Sequence, residues 1–449
     1  MKNLKFRKHI VLHITPHLGG GVGRVLLNYL EKVKENPDFL HKVLSLEYAN
    51  DTALSALQST GFSLTDKMSA NHYGIIAAIA AADIVLIHWW NHPLLYDFLV
   101  RTELPPCRMV MWSHISGFHP PYVFTEKILR YPDLFVFTTP VSYETKDVQN
   151  LSDEIKKRLR VVWSTGGIDH VKSVKPQAHT GFNIGYIGNV DYAKLHPNFL
   201  TLCSNVDIPN VKFIVCGGLS EKKIMREAEQ QGISAKFKFT GLISDITEYL
   251  KLFDVFGYPL AAYHYGTCDQ VLAESMAAGV VPVVLPNRME KYMVKDGISG
   301  IVAKDENGYV EALRYLYDNK DLRITLSNKA KEYAIKTFSL DAMIKDLESI
   351  FEEVLTYTKT PKKWDIIQNT QKITAMDVFL ESLGNYGKDF YNYLNAKSKN
   401  ERIESIKRIK KLAETALWKS ETKGTAHHYN YFFRTDKSIS VLSQLMREQ

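Results

Sequence analysis

Up to about residue 340 the chain alternates one pattern. A short β-branched or aromatic run is followed by a polar or Gly/Pro turn, then by apolar residues at helical spacing. In the first half the runs are "HIVLHIT" (9–15), "KVLSLE" (42–47), "DIVLIHW" (83–89), "RMVMWSH" (108–114) and "LFVFTT" (134–139), and "RVLLNYLEKVKE" (24–35) carries the helical period. Parallel strands need long crossover connections, so strand-sized runs alternating with helices imply parallel sheets covered on both faces. A polar, aperiodic stretch, "SVKPQAHTGF" (173–182), interrupts the series. It then resumes with "NIGYIG" (183–188), "KFIVCGG" (212–218), "KFKFTG" (236–241), "VFGYPL" (255–260) and "VVPVVL" (280–285).

The expected fold is therefore α/β: two Rossmann-like, doubly wound parallel-sheet domains at 1–170 and 183–340, joined by a linker at 171–182. The length of 449 residues agrees with more than one core. Ligands of such folds bind beyond the carboxyl ends of the strands. A helix at 341–360 is expected to return toward the first domain. From 361 to 449 the pattern predicts a helical extension without strands, with Ile403, Ile406, Ile409 and Leu412 as one apolar stripe and Lys407, Arg408, Lys410 and Lys411 mostly off it.

Composition excludes several classes. Apolar residues make up 45% and charged residues 23%, as in soluble globular proteins. No apolar run approaches the roughly 18 residues of a membrane span, and no cleavage site follows "HIVLHIT", so a cytoplasmic protein without a signal peptide is expected. Cys107, Cys203, Cys216 and Cys268 form no CxxC pair, and free thiols in a reducing compartment are expected. Net charge is +7, but residues 361–449 hold 16 Lys and Arg against 10 Asp and Glu. The main body is then nearly neutral, which argues against a nucleic-acid groove. The basic tail remains a candidate contact for an anionic membrane surface.

The stretch "CDQVLAESMAAGVVPVVLP" (268–286) sets one carboxylate, Glu274, in an otherwise apolar helix. Thr267 and Gln270 have capping-box spacing, which predicts a helix start at 267–268, and Gly279 predicts its end. A buried carboxylate needs a partner. Two readings stand: a structural partner or solvent channel, or a carboxylate that accepts hydrogen bonds from a polyhydroxylated ligand.

The block "HYGTCDQVLAESMAAGVVPVV" (264–284) resembles the signature of retaining glycosyltransferases of the two-Rossmann (GT-B) architecture, family 4 and its relatives. The resemblance covers about residues 9–355. It implies transfer of a sugar from a nucleotide-diphosphate donor, UDP- or GDP-sugar, to a hydroxyl of a saccharide or lipid-linked saccharide, with retention, no metal and no further cofactor. Surface polysaccharide synthesis is the implied setting. By this resemblance Glu274 binds the donor ribose. The helix N-terminus at Thr267, Asp269, Gln270 and Val271 receives the diphosphate, in keeping with its exposed N–H groups. "NIGYIGNVDYAKLHPNF" (183–199) resembles the strand and loop that bring Gly188, Asn189 and the catalytic Lys194 to the phosphates. Gly241 and Leu242 match the turn that contacts the nucleobase, and "VVWSTGGIDH" (161–170) matches an interdomain element. In the first half, Gly20 and Gly21 match a glycine loop before a helix that Arg24 would open, and His114 matches a histidine beside the donor sugar.

Two positions depart from the family pattern. Gly266 stands where the first Glu of the pair is usual. Asn189 stands where an Arg is usual, so another cation, Arg24 among the candidates, must supply the second charge. Those departures keep two other readings open: a non-catalytic GT-B partner subunit, and a different GT-B enzyme such as a nucleotide-sugar epimerase. A dinucleotide fingerprint fails because Arg24 or Leu26 falls at the third glycine position. No Walker loop or nucleophile elbow is present. His88 and His92 read as packing or an acceptor-side wall rather than metal ligands, and Cys268 as a small buried thiol. Lys423, Gly424, His428 and Tyr429 in the tail fit an acceptor contact, a subunit contact, a membrane-facing surface or a cap on the domain.

Overall fold

The computed structural model describes residues 7–218, 221–264, 266–365, 373–415 and 417–447. The chain forms two compact units. One comprises residues 1–162 and 344–449, and the other residues 163–343.

Ten strands lie in the first stretch of the first unit: β1 His9–Thr15, β2 Phe39–Ser45, β3 Ser63–Thr65, β4 Ile84–Trp89, β5 Leu104–Cys107, β6 Met109–Ser113, β7 Phe118–His119, β8 Tyr122–Val123, β9 Leu134–Phe137 and β10 Leu159–Val161. Seven form a parallel sheet in the order β10-β9-β6-β4-β1-β2-β3. Every residue of β4, β6 and β9 is buried. This explains why their sequences read as continuous apolar runs rather than alternating ones. The order reverses direction between β1 and β4, which marks the ligand-binding switch point of a doubly wound sheet.

The second unit repeats the scheme with β11 Phe182–Ile187, β12 Val211–Cys216, β13 Phe237–Gly241, β14 Val255–Tyr258, β15 Val281–Val284 and β16 Ile301–Val302. All six are parallel, in the order β13-β12-β11-β14-β15-β16, with the switch point between β11 and β14. The unit takes up the chain at Trp163, so the polar stretch expected as a linker (171–182) lies inside it. The reason is local. Trp163 packs edge-on against Phe338, and Thr165 and Gly166 hydrogen-bond to Gln270.

The C-terminal region is not a strand-free appendage. After the helix Leu340–Leu355, Thr360–Lys362 forms β17, antiparallel to β5. The helices and loops that follow bury Trp364, Phe379, Phe390, Trp418 and Tyr429 in the same apolar core as Trp89 and Tyr96. Asn91 donates to Ser382 O at 3.2 Å. Gly424 adopts φ +74, and a Cβ there would lie 2.2 Å from Asn91 O. The apolar stripe also differs from expectation. In the helix Lys399–Ala413 the buried edge is Ser405, Ile409 and Ala413, whereas Ile403 is 40% exposed.

Candidate functional site

In the second unit the carboxyl ends of β11, β12 and β13 are built from glycines. Gly188 follows β11, Gly217 and Gly218 follow β12, and Gly241 ends β13. Gly217 has φ +139, and a Cβ on it would stand 1.8 Å from Gly188 O, so two loops cross where no side chain fits. Past Gly241, itself at φ +70, Leu242 is 85% exposed. Asn189 is exposed, and its carbonyl accepts the Tyr186 hydroxyl at 2.8 Å.

The loop after β11 turns at Asp191, whose carboxylate accepts the backbone N–H of Lys194 at 3.1 Å. This fixes the lysine stem. Its Nζ reaches Asp269 Oδ1 at 3.2 Å and lies 5.3 Å from the centre of the Tyr258 ring. The Tyr258 hydroxyl donates to Asp269 Oδ2 at 3.3 Å. Burial would push the Asp269 carboxyl up. The Lys194 charge, His264 and the Lys194 and Tyr258 hydrogen bonds outweigh it and hold the carboxyl below its ordinary range. His264 faces the fully buried Glu290, with Nε2 2.8 Å from Oε1, and Gly266 N–H donates to its Nδ1 at 3.1 Å. Burial lowers the His264 pKa, but the Glu290 hydrogen bond and charge, with Asp269, raise it overall.

The helix Gln270–Ala277 begins later than its sequence implied. Asp269 is the N-cap, without a side-chain cap bond, and Thr267 lies upstream in the loop. The capping box does not form because the Gln270 side chain is used elsewhere. Its Nε2 donates to Gly167 O at 2.7 Å and to Glu274 Oε1 at 3.0 Å, and its Oε1 accepts Gly166 N–H at 2.9 Å. Gly279, at φ +81, ends the helix as expected: Gly279 N–H bonds Met276 O and Val280 N–H bonds Ser275 O. Glu274 is 5% exposed, and His170 Nε2 approaches its Oε1 at 3.3 Å. The carboxylate therefore has structural partners, Gln270 and His170, one turn below the helix N-terminus. Val271 is half-buried. Burial pushes the Cys268 thiol up, which makes it a poor nucleophile.

Gly266 is tightly placed. A Cβ would stand 2.9 Å from His264 Nδ1 and 3.3 Å from Asp269 Oδ1. His264, Asp269 and Glu290 bring one ligand-type atom each within 4.8 Å of one another, the one such group among the described residues. Lys194 already brings a positive charge to that group.

In the first unit the glycine loop is shorter than expected. The helix Gly20–Val33 already includes Gly20, Gly21 and Gly23, and Arg24 is its fifth residue, exposed, rather than its first. A Cβ on Gly20 or Gly21 would meet nothing within 4 Å, and the N-cap Gly19 offers no side-chain bond, so this helix N-terminus is open. His114 sits just past β6. It is half-buried, and its Nε2 lies 3.1 Å from His88 Nδ1. His92 caps the helix Pro93–Arg101 by accepting Leu94 N–H, and its Nε2 faces Glu47 Oε2 at 3.5 Å. His88 and His92 thus have separate, non-convergent partners.

Four contributors escaped sequence reasoning: His264, Glu290, Tyr258 and His170. His264 and Glu290 follow apolar strands and Tyr258 ends one, all without a spacing signal. His170 was visible only as the neighbour of Asp169 in "GGIDH".

Residues 169–335 match the family model "Glycosyl transferases group 1". A Bacillus subtilis (strain 168) protein, provisionally named glycosyltransferase EpsD, is 28% identical over 147 residues, 32% of this chain and 38% of its own length. The chain thus matches little more than a third of that relative. Among solved structures, a glycosyltransferase from Rickettsia africae superposes with a TM-score of 0.63 at 13% identity, covering 78% of this chain and all of that one. Anabaena HepE, solved with UDP and glucose, superposes with a TM-score of 0.57 at 13% identity over 77% of this chain and all of its own. The fold is that of the GT-B glycosyltransferases, and the match to the group 1 glycosyl transferases covers residues 169–335.

Proposed function

We propose that this chain, whose residues 169–335 match the group 1 glycosyl transferases, moves a sugar from a nucleotide-diphosphate sugar to a hydroxyl of a saccharide or lipid-linked saccharide. The anomeric configuration is retained and no metal is used. The observation that carries this reading is the Lys194–Asp269 pair beside the N-terminus of the helix Gln270–Ala277, with Glu274 one turn below. An ammonium group and uncapped N–H groups converge where a diphosphate would sit, which is what stabilising a departing diphosphate requires.

In this reading the diphosphate binds Lys194 and the N–H groups near Thr267, Gln270 and Val271. Glu274 exchanges part of its contact with Gln270 and His170 for the ribose hydroxyls. Gly188, Asn189, Gly241 and Leu242 leave room for the nucleoside, and the exposed Leu242 side chain gains cover from the base. Within the first unit, His114 and the open helix start at Gly20, Gly21 and Arg24 are the candidate contacts for sugar or acceptor. The leaving phosphate oxygen takes the acceptor proton, so no carboxylate base is needed. The UDP and glucose in Anabaena HepE support a uridine donor, with GDP-sugars next. Among the described residues no helix is long and apolar enough to cross a membrane. Exposed Lys407, Arg408 and Lys411 support peripheral contact with anionic lipid on the cytoplasmic face.

Incubation with UDP-hexoses and saccharide acceptors, followed by NMR of the products, tests this. UDP release with a glycosidic bond of the donor's anomeric configuration is expected. Free sugar isomer without acceptor would indicate an epimerase. A second reading, a non-catalytic nucleotide-sugar-binding subunit, is favoured by the crowding that excludes a side chain at Gly266. Donor binding without turnover would support it.

A further inference from the structure

Four histidines form one hydrogen-bonded row across the first sheet. His41 Nδ1 is 2.9 Å from His13 Nε2. His13 Nδ1 is 3.1 Å from His88 Nε2, and His88 Nδ1 is 3.1 Å from His114 Nε2. The strand registers explain how. His13 pairs with Val43 and with Leu86, and His88 pairs with Trp112. Each histidine is therefore two residues farther along its strand than the neighbour of the one before. Even offsets keep all four rings on one face of the sheet. The row climbs from β2, across the β1–β4 switch point, to the loop after β6. Ring centres are 5.1, 5.4 and 5.3 Å apart, and the planes of the last two pairs are within 18° and 10° of parallel, as in-plane N···N contacts allow.

A neutral imidazole has one N–H and one lone pair. In a row of them each nitrogen–nitrogen contact holds one proton, so the orientation chosen at one end fixes every ring to the other. Burial lowers the pKa of all four, which keeps the rings neutral. The inner end breaks the tie. His41 Nε2 is buried and has no hydrogen-bond partner. Among main-chain groups a buried orphan N–H is rarer than an under-satisfied acceptor, and by the same reasoning we assign the His41 proton to Nδ1. That proton points at His13, the His13 proton points at His88, and the His88 proton points at His114 Nε2.

We propose that this row fixes the tautomer of His114 with its proton on Nδ1, making His114 a hydrogen-bond donor at the ligand-facing edge of the first sheet. His13, His41 and His88 are positioning residues that act through it. The group donated to, a sugar hydroxyl or a phosphate oxygen, rests on the function proposed above; the tautomer does not.

The test is nitrogen-15 NMR of selectively labelled histidine in the full chain at neutral pH, without ligand. The expected spectrum shows protonated Nδ1 and bare Nε2 in all four rings. His13→Phe cuts the row and is expected to let His114 populate both tautomers, whereas His13→Asn keeps a donor toward His88 and restores the single tautomer. His41→Phe, at the far end, is the second variant should His13→Phe not fold, and it too is expected to release His114. A wild-type His114 protonated on Nε2, or one unchanged in the folded cut-row variants, overturns the proposal. If turnover is present, His13→Phe lowers kcat more than KM and His13→Asn recovers it. Absence of turnover would count against the glycosyltransferase reading and leave the tautomer result standing.

Discussion

The Lys194 ammonium stands 3.2 Å from the Asp269 carboxylate, with Lys194 on the loop after β11 and Asp269 capping the helix that follows β14. The pair spans the switch point of the second sheet. In the proposed reading it neutralises a carboxylate that a diphosphate donor would otherwise meet as a negative charge.

Lys194→Met separates the two roles of that pair. Removing one partner of a fully buried pair leaves an uncompensated charge, at about 3–5 kcal/mol, and for this part-buried pair the cost is smaller. The thermal midpoint of the second unit is expected to fall, and UDP affinity to drop at least about tenfold, since hydrogen bonds to charged groups contribute about 1.5–3 kcal/mol. Adding Asp269→Asn should recover stability without recovering UDP affinity. Calorimetry and denaturation of the two variants check this.

Glu274 is expected to read ribose hydroxyls. Wild type should bind UDP more tightly than 2′-deoxyuridine diphosphate, and Glu274→Ala should erase that difference while remaining folded. Gln270 and His170 keep their other surroundings, so the fold survives the loss of one acceptor. A discrimination that persists in Glu274→Ala would make the carboxylate purely structural.

Acid should destabilise the first unit early. His13, His41 and His88 are buried neutral, with His41 and His88 pushed down to about 3 by burial. Below about pH 6.5 the unfolded chain binds protons that the folded one refuses. Stability therefore falls as pH falls from about 6.5 toward 3, by up to about 1.4 kcal/mol per pH unit for each such histidine. His264 has the opposite sign. Its raised pKa contributes stability below its unfolded value that is lost as pH rises through the folded one. Urea midpoints between pH 5 and 8 for wild type and His88→Asn check the first effect, and the variant should show the shallower slope.

Gly424→Ala probes the C-terminal region. The φ of +74 and the 2.2 Å approach to Asn91 O leave no room for a methyl group. The expected result is a loss of more than about 1 kcal/mol of stability, read as a lower thermal midpoint for the whole first unit, because the tail shares its core. An independent appendage would leave that midpoint unchanged.

Much of this was legible because buried parallel strands write themselves as unbroken apolar runs, as in "DIVLIHW" and "VVPVVL". The helix around Glu274 was legible from its glycine stop, but not from its start. Gln270 had two competing uses, a capping box or the "STGG" segment, and only tertiary structure decides between them. The histidine row was illegible for a related reason. His13, His41, His88 and His114 are far apart in sequence, and strand register alone brings them together. The fusion of the tail with the first core was hidden because Trp364, Phe379 and Tyr429 look the same whether they pack on each other or on Trp89 and Tyr96.

The most direct measurement is calorimetric titration of the purified chain with UDP, GDP, ADP, CMP and dTDP and their sugars, with and without EDTA. The account expects one nucleotide diphosphate, UDP first, to bind equally with and without EDTA and to lose that binding in Lys194→Met. Absence of binding across the panel, or binding that EDTA abolishes, would contradict it.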